Sequence, residues 1–170
     1  AQFVNETAKH RAVGISIETR PDWVTKDEIK LLRRLGVTKL QLGVQALDEK
    51  ILKKIKRGHS LEPVATSTRL LKNSGFKICY HFMPNLPGST PKKDISMAAM
   101  MFEDKRFKPD YLKIYPVQVI PTTELHTLFK AGKFKTYTDK SLKNVLKSIK
   151  EITPPWVRID RLVRDISRQW

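Results

Sequence analysis

The sequence predicts an α/β fold in which helices wrap a parallel sheet. Strand-like segments alternate along the chain with amphipathic helical segments at intervals of about 25 to 37 residues, which is typical of right-handed strand–helix–strand units. No repeat of fixed period and no linker rich in Gly, Ser or Pro interrupts this alternation. We therefore expect a single domain over residues 1–170.

In the first unit a helix lies between two strands. Thr25 and Glu28 have the spacing of a capping box, apolar residues follow at helical intervals, and Gly36 stands where a helix would end. Residues 13–18 before this helix and 39–44 after it have the residue types of strands.

The rest of the chain continues the alternation. Ser60 and Thr90 are predicted to cap helices, because both precede segments with helical periodicity. The further helices are expected over 48–56, over 60–75, from Pro91 onward, over 124–131 and over 139–152, and the further strands over 76–83, 111–115 and 156–159. Such a set of strands fits an open doubly wound sheet or a barrel, complete or partial. No Gly-x-Gly-x-x-Gly turn follows a strand, which weakens the dinucleotide-binding interpretation.

The composition is that of a globular domain with a strong excess of positive charge. Of the 170 residues 40% are hydrophobic and 29% charged, and 33 Lys and Arg outnumber 17 Asp and Glu, so the formal net charge is +16. Lys-rich helix faces are often only solvated surface, yet a charge of this size also favours binding to a polyanion such as RNA. Two basic stretches contain the candidate RNA-binding residues Lys53, Lys54, Lys56, Arg158, Arg161 and Arg164.

The single cysteine, Cys79, limits the chemistry of the chain. It excludes an intrachain disulfide, a zinc site built on thiolates and a self-contained iron–sulfur cluster, since such metal sites need about three or four cysteines. No apolar run approaches the roughly 18 residues of a membrane span, and the start of the chain lacks the apolar core of a signal peptide. We expect a cytoplasmic protein with no membrane partner and no metal ligands of its own.

Polar residues follow the predicted strands at their carboxyl ends, where parallel α/β folds bind ligands. The candidates are Glu18, Gln45, Arg57, His81, Lys113 and Tyr115. A carboxylate and an amide at one rim suit a ligand with an amino group and hydroxyls, while an arginine can pair with a carboxylate. The predicted ligand is therefore polar and carries both a positively and a negatively charged group.

Several of these residues also have a structural interpretation. Glu18 is equally consistent with an ion pair to Arg20 that closes a loop, and His81 with an interior histidine whose hydrogen bonds are satisfied. Lys113 is more unusual, because a buried lysine is costly unless it is paired.

Four motifs together resemble the radical S-adenosylmethionine (SAM) superfamily. They are Ile17-Glu18-Thr19-Arg20-Pro21-Asp22, Gly43-Val44-Gln45, Arg57-Gly58-His59 and Pro84-Asn85-Leu86-Pro87-Gly88. Their order, with the later segments Phe107-Lys108-Pro109-Asp110 and Leu112-Lys113-Ile114-Tyr115-Pro116, is similar to the family of the Elongator catalytic subunit. The resemblance covers nearly the whole chain.

The resemblance implies a tRNA-modifying transferase with a partial (βα) barrel. Such an enzyme uses SAM radical chemistry and acetyl-CoA to install a carboxymethyl-type group at the wobble uridine, beside other Elongator subunits. Glu18, Gln45 and Arg57 match superfamily positions that contact SAM, and His81 falls where related barrels place another SAM-contacting residue. Lys113 and Tyr115 lie on the strand that closes the same pocket. The basic stretches would contact tRNA phosphates.

The cysteine count departs from the family, whose members hold a four-iron four-sulfur cluster on three cysteines. We therefore expect the chain to be an internal part of such an enzyme, without the first strands, the cluster-binding segment and the acetyltransferase domain. Alone it would be inactive, and its exposed parallel edge would favour self-association or marginal stability.

Two other functions stay open from the sequence. One is another radical SAM enzyme of the coproporphyrinogen oxidase-like group, which shares the Gly43-Val44-Gln45 feature. The other is a cluster-free RNA-binding module in which the SAM pocket is vestigial.

Overall fold

Five strands form one parallel sheet in the part of the chain that the computed structural model describes, residues 2–163. The strands are β1 Ile15–Thr19, β2 Val37–Gln45, β3 Lys77–Phe82, β4 Tyr111–Ile114 and β5 Arg158–Leu162. Each strand pairs in parallel with the next one along the chain. The order does not reverse as it does in a doubly wound sheet, and it is the order of a (βα) barrel. The predicted α/β partial barrel with outer helices is confirmed.

Helices separate the strands. They are α1 Gln2–Thr7, α2 Lys26–Arg34, α3 Glu49–Lys54, α4 Leu61–Asn73, α5 Pro91–Glu103, α6 Glu124–Lys130 and α7 Asp139–Glu151. A 3₁₀ turn, Pro21–Trp23, follows β1 and packs against α4. The predicted cap at Thr25 is confirmed, because its hydroxyl accepts a hydrogen bond from the backbone N–H of Glu28 at 3.1 Å. Thr90 caps α5 in the same way.

Three details of the sequence prediction are wrong. Ser60 stands at the start of α4, but its side chain makes no cap; the first N–H of the helix, on Leu61, donates to Glu49 Oε1 at 2.8 Å. The last strand begins at Arg158 and not at residue 156, because a turn between Pro154 and Val157 precedes it. The short helix α1 has no counterpart in the prediction.

The two faces of the sheet have opposite character, as the alternation of side chains along a strand requires. The face covered by helices is apolar and fully buried: Leu40, Leu42, Val44, Ile78, Tyr80, Phe82, Leu112 and Ile114. The other face, called the inner face below, is polar: Ser16, Glu18, Lys39, Gln41, Cys79, His81, Tyr111, Lys113, Tyr115 and Asp160. The sheet therefore separates the hydrophobic core on one face from the polar and charged side chains on the other.

Candidate functional site

A cleft of about 410 Å³ opens at the carboxyl ends of β1 and β2. It is lined by Glu18, Thr19, Arg20, Trp23, Gly43, Gln45 and Arg57. Gln45 is the last residue of β2 and has a positive φ of 69°, and the register between β2 and β3 shifts between Leu42 and Gln45. This kink ends the ladder and places the Gln45 amide at the cleft.

Arg57 is held in the cleft by a backbone carbonyl. Its Nη2 and Nε donate to the Gly43 oxygen at 2.6 and 3.2 Å. A Cβ at Gly43 would overlap Arg57 Nη2, so the absence of a side chain there makes room for the guanidinium. Burial, with the charge of Arg20 nearby, lowers the pKa of Arg57 from its ordinary value. No carboxylate of the described residues pairs with this guanidinium, which leaves donors available for an anionic group.

Arg20 pairs with Asp22, so the predicted alternative of an ion pair between Glu18 and Arg20 is wrong. The guanidinium donates through Nε to Oδ1 at 3.0 Å and through Nη2 to Oδ2 at 2.7 Å. This bidentate contact holds the pKa of Asp22 below its usual range. Arg20 is therefore neutralised locally, and Glu18 is left for other partners.

Glu18 joins the cleft to the inner face. Its Oε1 lies 3.1 Å from Nδ1 of His81, whose side chain is 7% exposed, whereas that of Glu18 is 62% exposed. The opposite ring nitrogen, Nε2, lies 3.0 Å from Gln41 Oε1. The Tyr115 ring meets the His81 ring edge-on, with centroids 5.6 Å apart.

Gln41 lies at the centre of this arrangement. Its Oε1 accepts a hydrogen bond from Lys113 Nζ, and its Nε2 donates to Ser16 Oγ at 2.9 Å. Lys113 is thus a partly buried lysine whose ammonium donates one hydrogen bond to an amide oxygen. Further along the same face Lys39 pairs with Asp160 at 2.8 Å. The inner face therefore carries two groups of paired charged and polar side chains, which a packed hydrophobic core does not require.

Cys79 shares the inner face but is fully buried. Burial raises the pKa of its thiol to about 12. It is therefore a protonated packing residue at neutral pH and a poor metal ligand. Within residues 2–163 no group of three His, Cys, Asp or Glu side chains is placed to hold a metal ion.

The predicted cofactor-binding residues fall into two adjoining groups. Glu18, Gln45 and Arg57 line the cleft together. His81, Lys113 and Tyr115 do not line it; they lie on the inner face, and His81 reaches the cleft through Glu18. The roles of all six residues stay predictions.

The predicted RNA-binding residues are exposed where the structure describes them. Lys53 and Lys54 stand on α3, and Lys56 beyond it pairs with Glu124 at 2.8 Å. Arg158 and Arg161 lie on β5, and Arg164 lies outside the described residues.

Sequence reasoning missed Gln41, Ser16, Lys39 and Asp160. A signal was present in β2, where residues 39, 41, 43 and 45 are polar or glycine while 40, 42 and 44 are apolar. This alternation predicts one polar face on a central strand, and Gln41 lies in the middle of it.

Comparisons with known proteins show which family the chain resembles. The profile of the Radical SAM superfamily matches residues 1–100, and that of the Radical_SAM C-terminal domain matches residues 109–170. The chain is 47% identical over 166 residues to a tRNA uridine(34) acetyltransferase of Dehalococcoides mccartyi, covering 98% of this chain and 36% of that protein. It is 39% identical over 162 residues to human Elongator complex protein 3, covering 95% of this chain and 30% of that protein.

A solved structure is similar as well. The archaeal Methanocaldococcus infernus Elp3 with an N-terminal deletion superposes with a TM-score of 0.92 at 47% identity, covering 97% of this chain and 39% of that one. The chain thus spans only about a third of the length of the relatives that it matches. With a superfamily profile that covers more than half of its residues and a parallel sheet in barrel order, the chain belongs to the radical SAM superfamily.

Proposed function

We propose that this chain is the SAM-binding part of an enzyme that modifies uridine 34 of tRNA. The observation that carries the proposal is the cleft at the ends of β1 and β2, in a chain 47% identical to a tRNA uridine(34) acetyltransferase. The activity belongs to a longer protein, since the chain spans 36% of that relative. The proposed product is a carboxymethyl-type group on the wobble uridine, with acetyl-CoA as co-substrate.

The cleft fits the polar half of SAM, which carries an amino group, a carboxylate and ribose hydroxyls. The Arg57 guanidinium is held by Gly43 and offers donors to the carboxylate. Glu18 and Gln45 offer acceptors for the amino group or the hydroxyls. Arg20 also lines the cleft, but its charge is paired with Asp22. Together with an iron–sulfur cluster, bound SAM supplies one-electron chemistry to enzymes of this superfamily.

The cluster does not fit this chain. Its single cysteine is buried, and burial raises the pKa of that thiol to about 12, whereas cluster ligation requires several thiolates. In our proposal the cluster ligands come from the parts of the enzyme that this sequence does not contain. We assign no reaction step of these 170 residues to the cluster.

The positive charge supports tRNA as the macromolecular partner. A net charge of +16 favours a polyphosphate, and Lys53, Lys54 and Arg161 are exposed. We assign phosphate contacts to the two predicted basic stretches. Lys56 contributes less, because Glu124 already neutralises it.

The same proposal places the enzyme in the cytoplasm, with other Elongator-type subunits or a second copy as protein partners. Among the described residues no helix is long and apolar enough to cross a membrane.

The test uses a full-length enzyme that carries this sequence, with its cluster reconstituted. SAM binding is measured by calorimetry, tRNA binding by filter retention, and the nucleoside at position 34 by mass spectrometry after incubation with SAM and acetyl-CoA. Carboxymethyl-type uridine that requires both co-substrates supports the proposal. SAM binding without any change to tRNA would contradict the assigned substrate.

A cluster-free RNA-binding module is the second candidate, favoured by the charge and by the one buried cysteine. It predicts tRNA binding that falls steeply with salt, but no SAM cleavage even by the full-length enzyme. The same assay therefore separates the two functions.

A further inference from the structure

Gln41 occupies a position that the proposed roles above do not use. In the sheet register it lies beside Glu18 on β1 and beside Cys79 on β3. Its amide oxygen accepts from Lys113 and lies 3.0 Å from His81 Nε2. One oxygen atom therefore faces two nitrogen groups from two different strands.

The chemistry of lysine fixes the orientation of this amide. An ammonium group has only hydrogens to offer, so the Gln41 atom that faces Lys113 must be the oxygen. The NH₂ group then donates to Ser16 Oγ. Because His81 Nε2 faces that same oxygen, it must carry a hydrogen and donate it.

The second nitrogen of His81 faces an acceptor as well. Nδ1 lies 3.1 Å from a carboxylate oxygen of Glu18, which has lone pairs only. Both ring nitrogens are therefore donors, a state that only the protonated ring provides.

Among residues 2–163, the charged groups around the ring act in opposite directions. Glu18 on β1 favours the positive charge, whereas Lys113 on β4 opposes it. Tyr115, just beyond β4, contributes a ring edge, and Cys79 on β3 is a neutral thiol. The Gln41 oxygen lies between the two cations and accepts from both, which offsets part of their repulsion.

We propose that Gln41 is a positioning residue of the cleft: it holds His81 with a proton on each ring nitrogen, and this ring fixes one carboxylate oxygen of Glu18. The other Glu18 oxygen is then available to a ligand in the cleft. The inference rests on the proposed function in one respect, namely that this ligand is SAM.

The protonation of His81 can be measured directly in this chain. Nitrogen-15 NMR of histidine-labelled protein distinguishes ring nitrogens with and without a hydrogen, and the His81→Asn variant identifies the His81 signals among the four histidines. We expect both ring nitrogens of His81 to be protonated at about pH 7, above the usual midpoint of the residue. A ring with one bare nitrogen at that pH would overturn the proposal.

Variants at Gln41 test its part in this state. Gln41→Leu removes an acceptor from a charged donor, so the midpoint of His81 titration should fall by about one pH unit or more. Gln41→Glu keeps an acceptor and should hold or raise the midpoint. Gln2→Leu is the matched control, because the Gln2 amide bonds to the Arg33 carbonyl away from the sheet face. Equal midpoints of His81 titration in the native chain and in Gln41→Leu would refute the role of Gln41. If the leucine variant does not fold, a lower midpoint in Gln41→Glu, or a bare ring nitrogen in the native chain, would refute it instead.

A binding measurement on the full-length enzyme links this state to the cleft. Gln41→Leu and Glu18→Gln should each weaken SAM binding, and the double variant should bind no more weakly than Glu18→Gln alone, because both act through one carboxylate. If the two losses of SAM affinity add in the double variant, Gln41 does not act through Glu18, and the proposal is refuted. If all three variants bind SAM as tightly as the native enzyme, SAM is not the ligand of this cleft. The NMR measurement still shows whether Gln41 keeps His81 protonated.

Discussion

Glu18 Oε1 and His81 Nδ1 lie 3.1 Å apart although β2 separates their strands. The contact crosses the inner face where Gln41, the intervening residue of β2, bonds to the other side of the same ring. The Glu18 side chain is largely exposed in the cleft while that of His81 is buried. This pair is therefore where the buried polar face meets the candidate ligand site.

We predict that Glu18→Gln weakens SAM binding by the full-length enzyme by about tenfold or more, because a hydrogen bond to a charged group contributes about 1.5 to 3 kcal/mol. The substitution keeps the shape and an acceptor but removes the charge. Affinity for tRNA should stay within about twofold, since a single exposed carboxylate contributes little to phosphate binding. Calorimetry measures the affinity for SAM, and filter binding measures the affinity for tRNA.

Glu151→Gln is the control for that variant, because Glu151 is an exposed helix carboxylate 3.7 Å from Lys147. Loss of SAM and tRNA affinity together in Glu18→Gln would show that the residue supports the fold and not the ligand.

Gly43→Ala should displace Arg57. The added methyl group would occupy the space of Arg57 Nη2, and the guanidinium is a side chain that can turn away. We expect weaker SAM binding with a small change in the free energy of unfolding. Calorimetry measures the binding, and urea denaturation measures the free energy of unfolding. Gly14→Ala, whose Cβ would meet only the Thr38 hydroxyl at 3.1 Å, is the matched control. Unchanged SAM affinity in Gly43→Ala would remove Arg57 from the ligand site.

Local patterns in the sequence predicted most of the fold. Thr25 and Thr90 cap their helices as expected, and the apolar periodicity of α5 and α7 matches their packing against each other. The start of the last strand is predicted two residues too early, because the turn that begins at Pro154 extends to Val157 and β5 begins only at Arg158.

The candidate site was only partly predictable. Glu18, Gln45 and Arg57 are predicted both as polar residues near the strand ends and by the motif resemblance. They line one cleft, and their role in binding SAM stays a prediction. Gln41 was missed because its partner Lys113 is 72 residues away, and no local rule links two such positions. Only the register of three strands brings them together.

Asp94 should make the stability of the chain depend on pH. The carboxylate is fully buried in the first turn of α5 and accepts from the Asn85 N–H and the Tyr137 hydroxyl, each at 2.8 Å. The Ser89 hydroxyl also donates to this carboxylate. Burial raises the pKa of Asp94, against the opposing effect of the hydrogen bonds from Ser89, Asn85 and Tyr137. The folded state therefore favours the protonated acid, and its contribution to stability is lost as pH rises from the usual range of Asp through the raised pKa.

Asp94→Asn cannot ionise, so its free energy of unfolding should improve relative to the native chain as pH rises from about 4 to about 7. Urea denaturation at several pH values measures this difference. Asp104→Asn is the control with the opposite sign, because Arg106 lowers the pKa of Asp104 to about 2 and that group contributes stability lost only in acid. Parallel pH curves for the native chain and Asp94→Asn would contradict the prediction.

Neutralising the second basic stretch, which contains Arg158, Arg161 and Arg164, should change RNA binding and spare SAM binding. In the full-length enzyme, Arg158→Gln with Arg161→Gln and Arg164→Gln should reduce the slope of log affinity for tRNA against log salt by about one for each phosphate that the variant can no longer bind. Lys143→Gln with Lys147→Gln and Lys150→Gln, on α7, is a control of equal charge. An unchanged slope in the arginine variant would show that this basic stretch does not contact tRNA.

The free edge of β1 should make the isolated chain associate. β1 pairs with β2 on one side, and in the described residues no strand covers its other side, where Val13 and Ile15 are exposed. Parallel edges with unpaired N–H and C=O groups are templates for pairing with a second copy. Ile15→Lys places a charge on this edge and should raise the monomer fraction in sedimentation velocity, whereas Leu31→Lys on α2, similarly exposed, should not. A native chain that stays monomeric and unfolds sharply at a midpoint independent of concentration would contradict the prediction, because an unpaired edge that drives association would make both the monomer fraction and the midpoint depend on concentration.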